Sequence, residues 1–268
     1  MREMQPRKLM HALAMHFYSG SGREKQLATD GTEDDWYFLL HTANRMDALL
    51  KAQIAVMDRY DADDRVGMLL DEWGTWHLVQ PETNEGFLFQ QNTMRDAVAA
   101  SLTLDIFNRH SRRVHGANIA QTVNVLQAMV LTQGNKMLLT PTYHVFDMYA
   151  AHHDATCLPC YVDATQLGQG DTEVPALSAS ASRADDGSVH LTMTNLSATD
   201  PASVAVSLHG LDNPTLQARL LTGDAMSSHN TFAAPEAVQP LAFSDLRATS
   251  RGFDIELPPR SVITVNAR

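Results

Sequence analysis

The chain has 268 residues, enough for one large domain or two ordinary ones. Hydrophobic residues make up 44% and charged residues 19%, a normal globular balance, and a net charge of -11 argues against nucleic acid or an anionic membrane as a partner. No apolar run approaches the roughly 18 residues of a membrane-spanning helix, and two cysteines do not make a disulfide scaffold.

The start, Met1 to Lys8, carries basic residues, but the apolar stretch behind it is short and broken by His11 and His16, a poor signal peptide. Leu9 to Tyr18 reads as a strand. Ser19 to Thr32, with Gly20, Gly22 and Gly31, reads as a loop. Glu33 to Tyr60 is a helical pattern. Trp36, Leu39, Leu40, Ala43, Met46, Leu50, Ile54 and Met57 recur at three- and four-residue steps, and Thr32 stands where a cap belongs.

Val66, Met68, Leu69 and Leu70 then form an apolar run expected to be a strand buried on both faces. A loop is expected from Trp73 to Gly86, a second helix from Phe87 to Phe107 and a third strand at Val114 to Ile119. A mixed segment runs from Ala120 to Thr140, and Pro141 suits the first turn of a helix reaching about Ala151. Strand and helix thus alternate, which implies parallel strands.

After about Cys157 helical periodicity stops. Val189 to Asn195 alternates with a period of two, and Asp185-Asp186-Gly187 before it is a hairpin-turn signal. Val204–Leu208, Ala218–Leu221, Phe253–Leu257 and Val262–Val265 supply further strands, spaced as in an antiparallel sandwich.

The apolar run at Val66–Leu70 ends on Asp71-Glu72-Trp73-Gly74. Two carboxylates at the end of a buried strand are costly unless they are solvated, paired or used. In a barrel of parallel strands, that end is where catalytic side chains stand. Glu72 is therefore a candidate catalytic carboxylate and Trp76 a candidate wall for a sugar; the plain alternative is a strand exit with a solvated Glu.

Asp71-Glu-Trp-Gly-Thr-Trp76 resembles the nucleophile segment of the α-L-arabinofuranosidases of glycoside hydrolase family 51. Further blocks follow the same order: Tyr60–Gly67, Phe87–Ala97, Ala117–Gln127, Leu139–Phe146, Leu221–Phe232 and Leu257–Val262. The resemblance is collinear over nearly the whole chain. It implies the last three β/α units of a (β/α)8 barrel over residues 1–155, then an antiparallel β-sandwich over 156–268. It also implies that the chain is the C-terminal portion of a longer enzyme.

By that resemblance the activity is retaining, exo-acting release of terminal α-L-arabinofuranosyl residues from arabinan, arabinoxylan or their oligosaccharides. Glu72 is the nucleophile. His16, Tyr18, Trp76 and Gln121 fall on substrate-binding positions, with Phe17 pointing away into packing. On sequence alone His16 also fits a satisfied core histidine and Gln121 a loop amide. The acid/base Glu is expected on an earlier strand; Asn84-Glu85 has its dipeptide but sits in a loop. No cofactor or metal is implied, and Cys157-Leu-Pro-Cys160 beside His152 and His153 reads as packing at the junction. The family often forms oligomers, an expectation that attaches to the full-length form. The expected compartment is the cytoplasm, with any export signal lying ahead of Met1. Two rival readings are an endo-acting β-glucanase of the same family and a non-catalytic carbohydrate-binding module.

Overall fold

The computed structural model describes every residue except Pro6, Ser21 and Arg23, so two positions of the expected Ser19–Thr32 loop lie outside the described residues. Strands β1 (Ala12–Gly20), β2 (Gly67–Trp76) and β3 (Val114–Ile119) lie parallel in that order. Parallel neighbours need a crossover. Helices α1 (Glu33–Asp58) and α2 (Met94–Arg109) supply them.

α1 starts where Thr32 and Asp35 cap each other reciprocally, and Glu33, Asp34 and Asp35 favour its positive end. It buries the apolar stripe expected of it, Trp36 to Met57. α2 starts seven residues later than the periodicity predicts. Leu88 adopts a left-handed conformation, which no helix continues through, and the Thr93–Asp96 capping box fixes the first turn at Met94.

β2 also departs from expectation. It runs on to Trp76 where a loop is expected from Trp73, because Trp73 to Trp76 keep pairing with Phe17 to Gly20. It is not buried on both faces. Met68 and Leu70 join the core under the helices, whereas Leu69 is 37% exposed beside the exposed Ala14 on β1. The helices cover one face only, the one onto which Leu13, Met15 and Phe17 pack.

The segment Ala120–Thr140 hides a hairpin of β4 (Val130–Gln133) and β5 (Lys136–Leu139), turned at Gly134, whose φ of +60° suits glycine. Helix α3 (Pro141–Tyr149) follows, capped by Thr140.

The remaining strands are β6 (Thr156–Leu158), β7 (Gln166–Leu167), β8 (Val174–Pro175), β9 (Leu177–Arg183), β10 (Val189–Asn195), β11 (Ala202–Ser207), β12 (Leu216–Leu221), β13 (Leu241–Phe243), β14 (Leu246–Thr249), β15 (Gly252–Leu257) and β16 (Ser261–Ala267). Strands predominate among the described residues. Six of them pair in the order β13-β12-β16-β10-β9-β6, and β11-β15-β14 form a second antiparallel sheet. Leu191, Met193, Ile263 and Val265 of the first sheet share an apolar cluster with Phe253, Ile255 and Leu257 of the second. The turn at Asp185–Gly187 joins β9 to β10, as its residues suggest.

The parallel sheet and the antiparallel sheet of β9 and β10 both pack on α2. Its Asp105 is fully buried and accepts hydrogen bonds from Tyr149 (2.7 Å), Ser178 (2.7 Å), Ser180 (2.8 Å) and Thr192 (3.1 Å). Burial raises its carboxyl above the ordinary range and outweighs the lowering by these donors and by Arg109. Asp105→Ala would strand several buried hydroxyls and should cost roughly 3 kcal/mol in urea unfolding. The folded state holds the Asp105 proton more tightly than the unfolded chain does. Its stabilising contribution is therefore present at low pH and lost as pH rises through the folded-state value. Measured against Asp105→Asn, the natural chain should gain relative stability as pH falls from neutral toward the ordinary carboxylate range.

Candidate active site

The site begins with an irregularity in β2. Between β1 and β2 the partners step from Ala14–Leu69 to His16–Glu72, two residues against three. Between β2 and β3 they step from Leu70–Ala117 to Trp73–Ile119, again with the extra residue on β2. A bulge re-aims the side chains it carries. In a regular strand Asp71 and Glu72 would point to opposite faces; here both reach His16 of the neighbouring strand.

Glu72 is gripped at both oxygens. Tyr18 Oη donates to Oε1 at 2.5 Å, and His16 Nδ1 lies 3.0 Å from Oε2. The other ring nitrogen of His16, Nε2, lies 3.2 Å from Asp71 Oδ1, so the imidazole bridges two carboxylates. The Glu72 side chain is about one-third exposed, open enough to be reached. Burial and the adjacent Glu72 carboxylate push the Tyr18 phenol above its ordinary value, so at neutral pH it remains a donor. The Tyr18 ring meets Trp76 edge to face at 5.0 Å, and the Lys25 ammonium stands 5.2 Å from the Trp76 ring centre.

The segment after Glu72 is pinned from two sides. Gly74 has φ +151°, and a Cβ there would lie 2.9 Å from Gln127 Cγ. Gln127 is buried; its Oε1 accepts from the Thr75 N–H at 2.8 Å, and its Nε2 donates to Thr142 at 3.0 Å. From the other side Asp96 Oδ1 accepts from Thr75 Oγ1 at 2.5 Å and lies 2.6 Å from His77 Nε2. Burial would raise the Asp96 carboxyl, but His77, Thr75 and Arg95 outweigh it and bring it down to about 2. Neither Asp96 nor Gln127 stands out in the sequence. The usable signals were the Thr93-x-x-Asp96 capping pattern and the glycine at 74.

The geometry thus gathers His16, Tyr18, Glu72 and Trp76, with Phe17 in the packing beneath. Gln121 follows β3 at the same end of the sheet. Its side chain is exposed, its backbone N–H donates to Leu126 O at 2.7 Å, and it takes part in none of the cluster's hydrogen bonds. Glu85 sits exposed in a single 3-10 turn. Among the described residues no group of three or more His, Cys, Asp or Glu side chains is placed to hold a metal ion. His152 is occupied by Ser182 and Thr192, and the Cys157 thiol donates to Asn108 O at 3.3 Å. Among the same residues no helix is long and apolar enough to cross a membrane.

Comparison with known proteins identifies the family. The family described as "Alpha-L-arabinofuranosidase C-terminal domain" matches residues 71–261, well over half of the chain. An intracellular exo-alpha-L-arabinofuranosidase of Bacteroides ovatus is 38% identical over 259 residues, which is 96% of this chain and 50% of that protein. An exo-alpha-(1->6)-L-arabinofuranosidase of Bifidobacterium longum is 26% identical over 91% of this chain and 50% of its own length. The solved family 51 arabinofuranosidase of Xanthomonas axonopodis pv. citri is 44% identical and superposes with a TM-score of 0.94 over 98% of this chain and 54% of that one. The chain spans about half the length of the curated relatives it matches. On the breadth of these matches, the chain belongs to the α-L-arabinofuranosidases of glycoside hydrolase family 51.

Proposed function

We propose that this chain carries the nucleophile half of a retaining, exo-acting α-L-arabinofuranosidase. The observation that carries the reading is the double grip of Tyr18 and His16 on a reachable Glu72 at the exit of a parallel strand. A retaining glycosidase needs an ionised carboxylate held in one orientation against the anomeric carbon. Tyr18 and His16 fix that orientation, and their polar hydrogens compensate the charge of the partly desolvated carboxylate. The names of the relatives support terminal α-L-arabinofuranosyl groups as the substrate class, and arabinan, arabinoxylan or their oligosaccharides are the proposed sources.

In the proposed reaction a Glu72 oxygen attacks the anomeric carbon and forms an ester while the bond to the leaving oxygen breaks. A second carboxyl must protonate that oxygen and then activate water. We assign that carboxyl to chain outside residues 1–268, on the half of the relatives' length that this chain does not span. Trp76 is the wall of the sugar pocket, and Gln121 is a further sugar contact on the adjacent strand end. In this reading β1 to β3 are the last three strands of a (β/α)8 barrel over 1–155. The two antiparallel sheets are a β-sandwich over 156–268.

Two measurements test the reading. A 2-fluoro-arabinofuranoside with a dinitrophenolate leaving group needs no protonation, since the phenolate departs with the bonding pair. The chain should become esterified at Glu72, located by peptide mass analysis, and Glu72→Gln should take no label. Labelling at Glu85 or at no residue would refute it. Dinitrophenyl arabinofuranoside itself should give a burst near one equivalent and slow turnover, because no base activates water. Azide, which needs no base, should speed turnover by displacing Glu72 and releasing arabinofuranosyl azide. Fast turnover without azide would place the acid/base within these 268 residues.

A further inference from the structure

Asp96 lies outside the residues that grip Glu72, yet two of its contacts reach the chain beyond that residue, Thr75 in β2 and His77 just past the strand's end. Its carboxylate divides between two tasks. Oδ2 accepts from the Thr93 backbone N–H (2.7 Å) and hydroxyl (2.9 Å) and so starts α2. Oδ1 takes Thr75 and His77, which lie three and five residues beyond Glu72. The group is buried, so no water competes for these contacts and few other arrangements satisfy them. The same first turn of α2 is held from the second half of the chain: the Met94 N–H donates to Ser228 O at 2.9 Å and the Arg95 N–H to Met226 O at 3.1 Å. Backbone bonds thus tie the loop between β12 and β13 to the start of α2, and the Asp96 side chain ties the start of α2 to the exit of β2.

We infer that Asp96 is a positioning residue for Glu72: it fixes the bulged exit of β2 through Thr75 and His77, and so sets the aim of the carboxylate. The inference rests on the reading of Glu72 as nucleophile. A bulge has more conformational freedom than a paired strand, so its geometry has to be imposed from outside. Gln127 imposes it at the Thr75 N–H, and Asp96 imposes it at the side chains of Thr75 and His77. Displacements on the order of 1 Å at a reacting atom cost roughly a hundredfold in rate.

The experiment uses Asp96→Asn and Thr75→Val in the 268-residue chain. Thr75→Val leaves the Thr93–Asp96 cap intact and keeps the side-chain volume, so it covers the case in which Asp96→Asn fails to fold. Two readouts are taken. The first is the rate and the concentration dependence of Glu72 esterification by the fluorinated dinitrophenyl arabinofuranoside. The second is the pair of indole N–H signals of Trp76, which packs on Tyr18, and Trp36, which donates to Leu196 O. The expected result is a maximal labelling rate lower by roughly tenfold or more, with half-saturation within about twofold of the natural chain. The Trp76 signal should shift while that of Trp36 stays. An unchanged labelling rate in a folded variant would overturn the inference. If the natural chain is not labelled at all, the nucleophile reading fails, and the indole signals alone decide whether Asp96 sets the geometry: an unmoved Trp76 in both variants would end the claim.

Discussion

A helix buried on every side must find a partner for each polar group it carries, and α2 is such a helix. It packs on α1, α3 and β2 as well as on β9, β10 and β16, and nearly all its residues from Met94 to Phe107 are buried. A surface helix would turn Arg95, Asp96, Ser101 and Asp105 to water. Here each is answered by protein: Arg95 by the Leu27 and Ala28 carbonyls, Asp96 by the exit of β2, Ser101 by Tyr149 and Thr194, Asp105 by the hydroxyls of β9 and β10. An unanswered group would cost about 1–3 kcal/mol, so the position of α2 along and around its axis is tightly set. The parallel sheet and the antiparallel sheets thereby share one rigid reference.

The carboxylate chemistry follows from that constraint. Three acidic side chains near the end of β2 have three different environments. Glu72 is partly exposed and bound by a phenol and an imidazole; Asp71 shares that imidazole; Asp96 is buried and held ionised by His77, Thr75 and Arg95. Glu72 is reachable and is held at both of its oxygens, as the proposed nucleophile role requires, whereas Asp71 is held at one. The third is well placed to orient and badly placed to react. Environment, and not residue type, separates the roles.

The sequence carried the elements that depend on local pattern. The α1 stripe, the Thr32 cap, the Pro141 start and the alternation from Val189 to Asn195 are written in consecutive residues, and the structure has each of them. Elements fixed by distant partners were not legible. Short strands such as β6, β7 and β8 owe their pairing to β9 and to each other more than to their own composition. The strand run from Trp73 to Trp76 depends on β1, and the bulge at Asp71 and Glu72 depends on registers with two neighbours at once. In the site, Glu72, His16, Tyr18 and Trp76 could be named because a collinear family pattern points at them. Gln127 and Asp96 could not, since an amide on a loop and an acid at a helix start have ordinary local explanations.

The distant supports all reach the strand exit from the helix side of the parallel sheet. Ala14, His16, Leu69 and Asp71 look away from the helices, and the cluster around Glu72 opens on that side. Among the described residues, the contacts that hold the strand exit come from the helix side and from Gln127. The proposed nucleophile role needs one side free for substrate and the other side rigid. Here the rigid side is built from residues spread from Thr75 to Ser228, and the free side is the one that Trp76 borders.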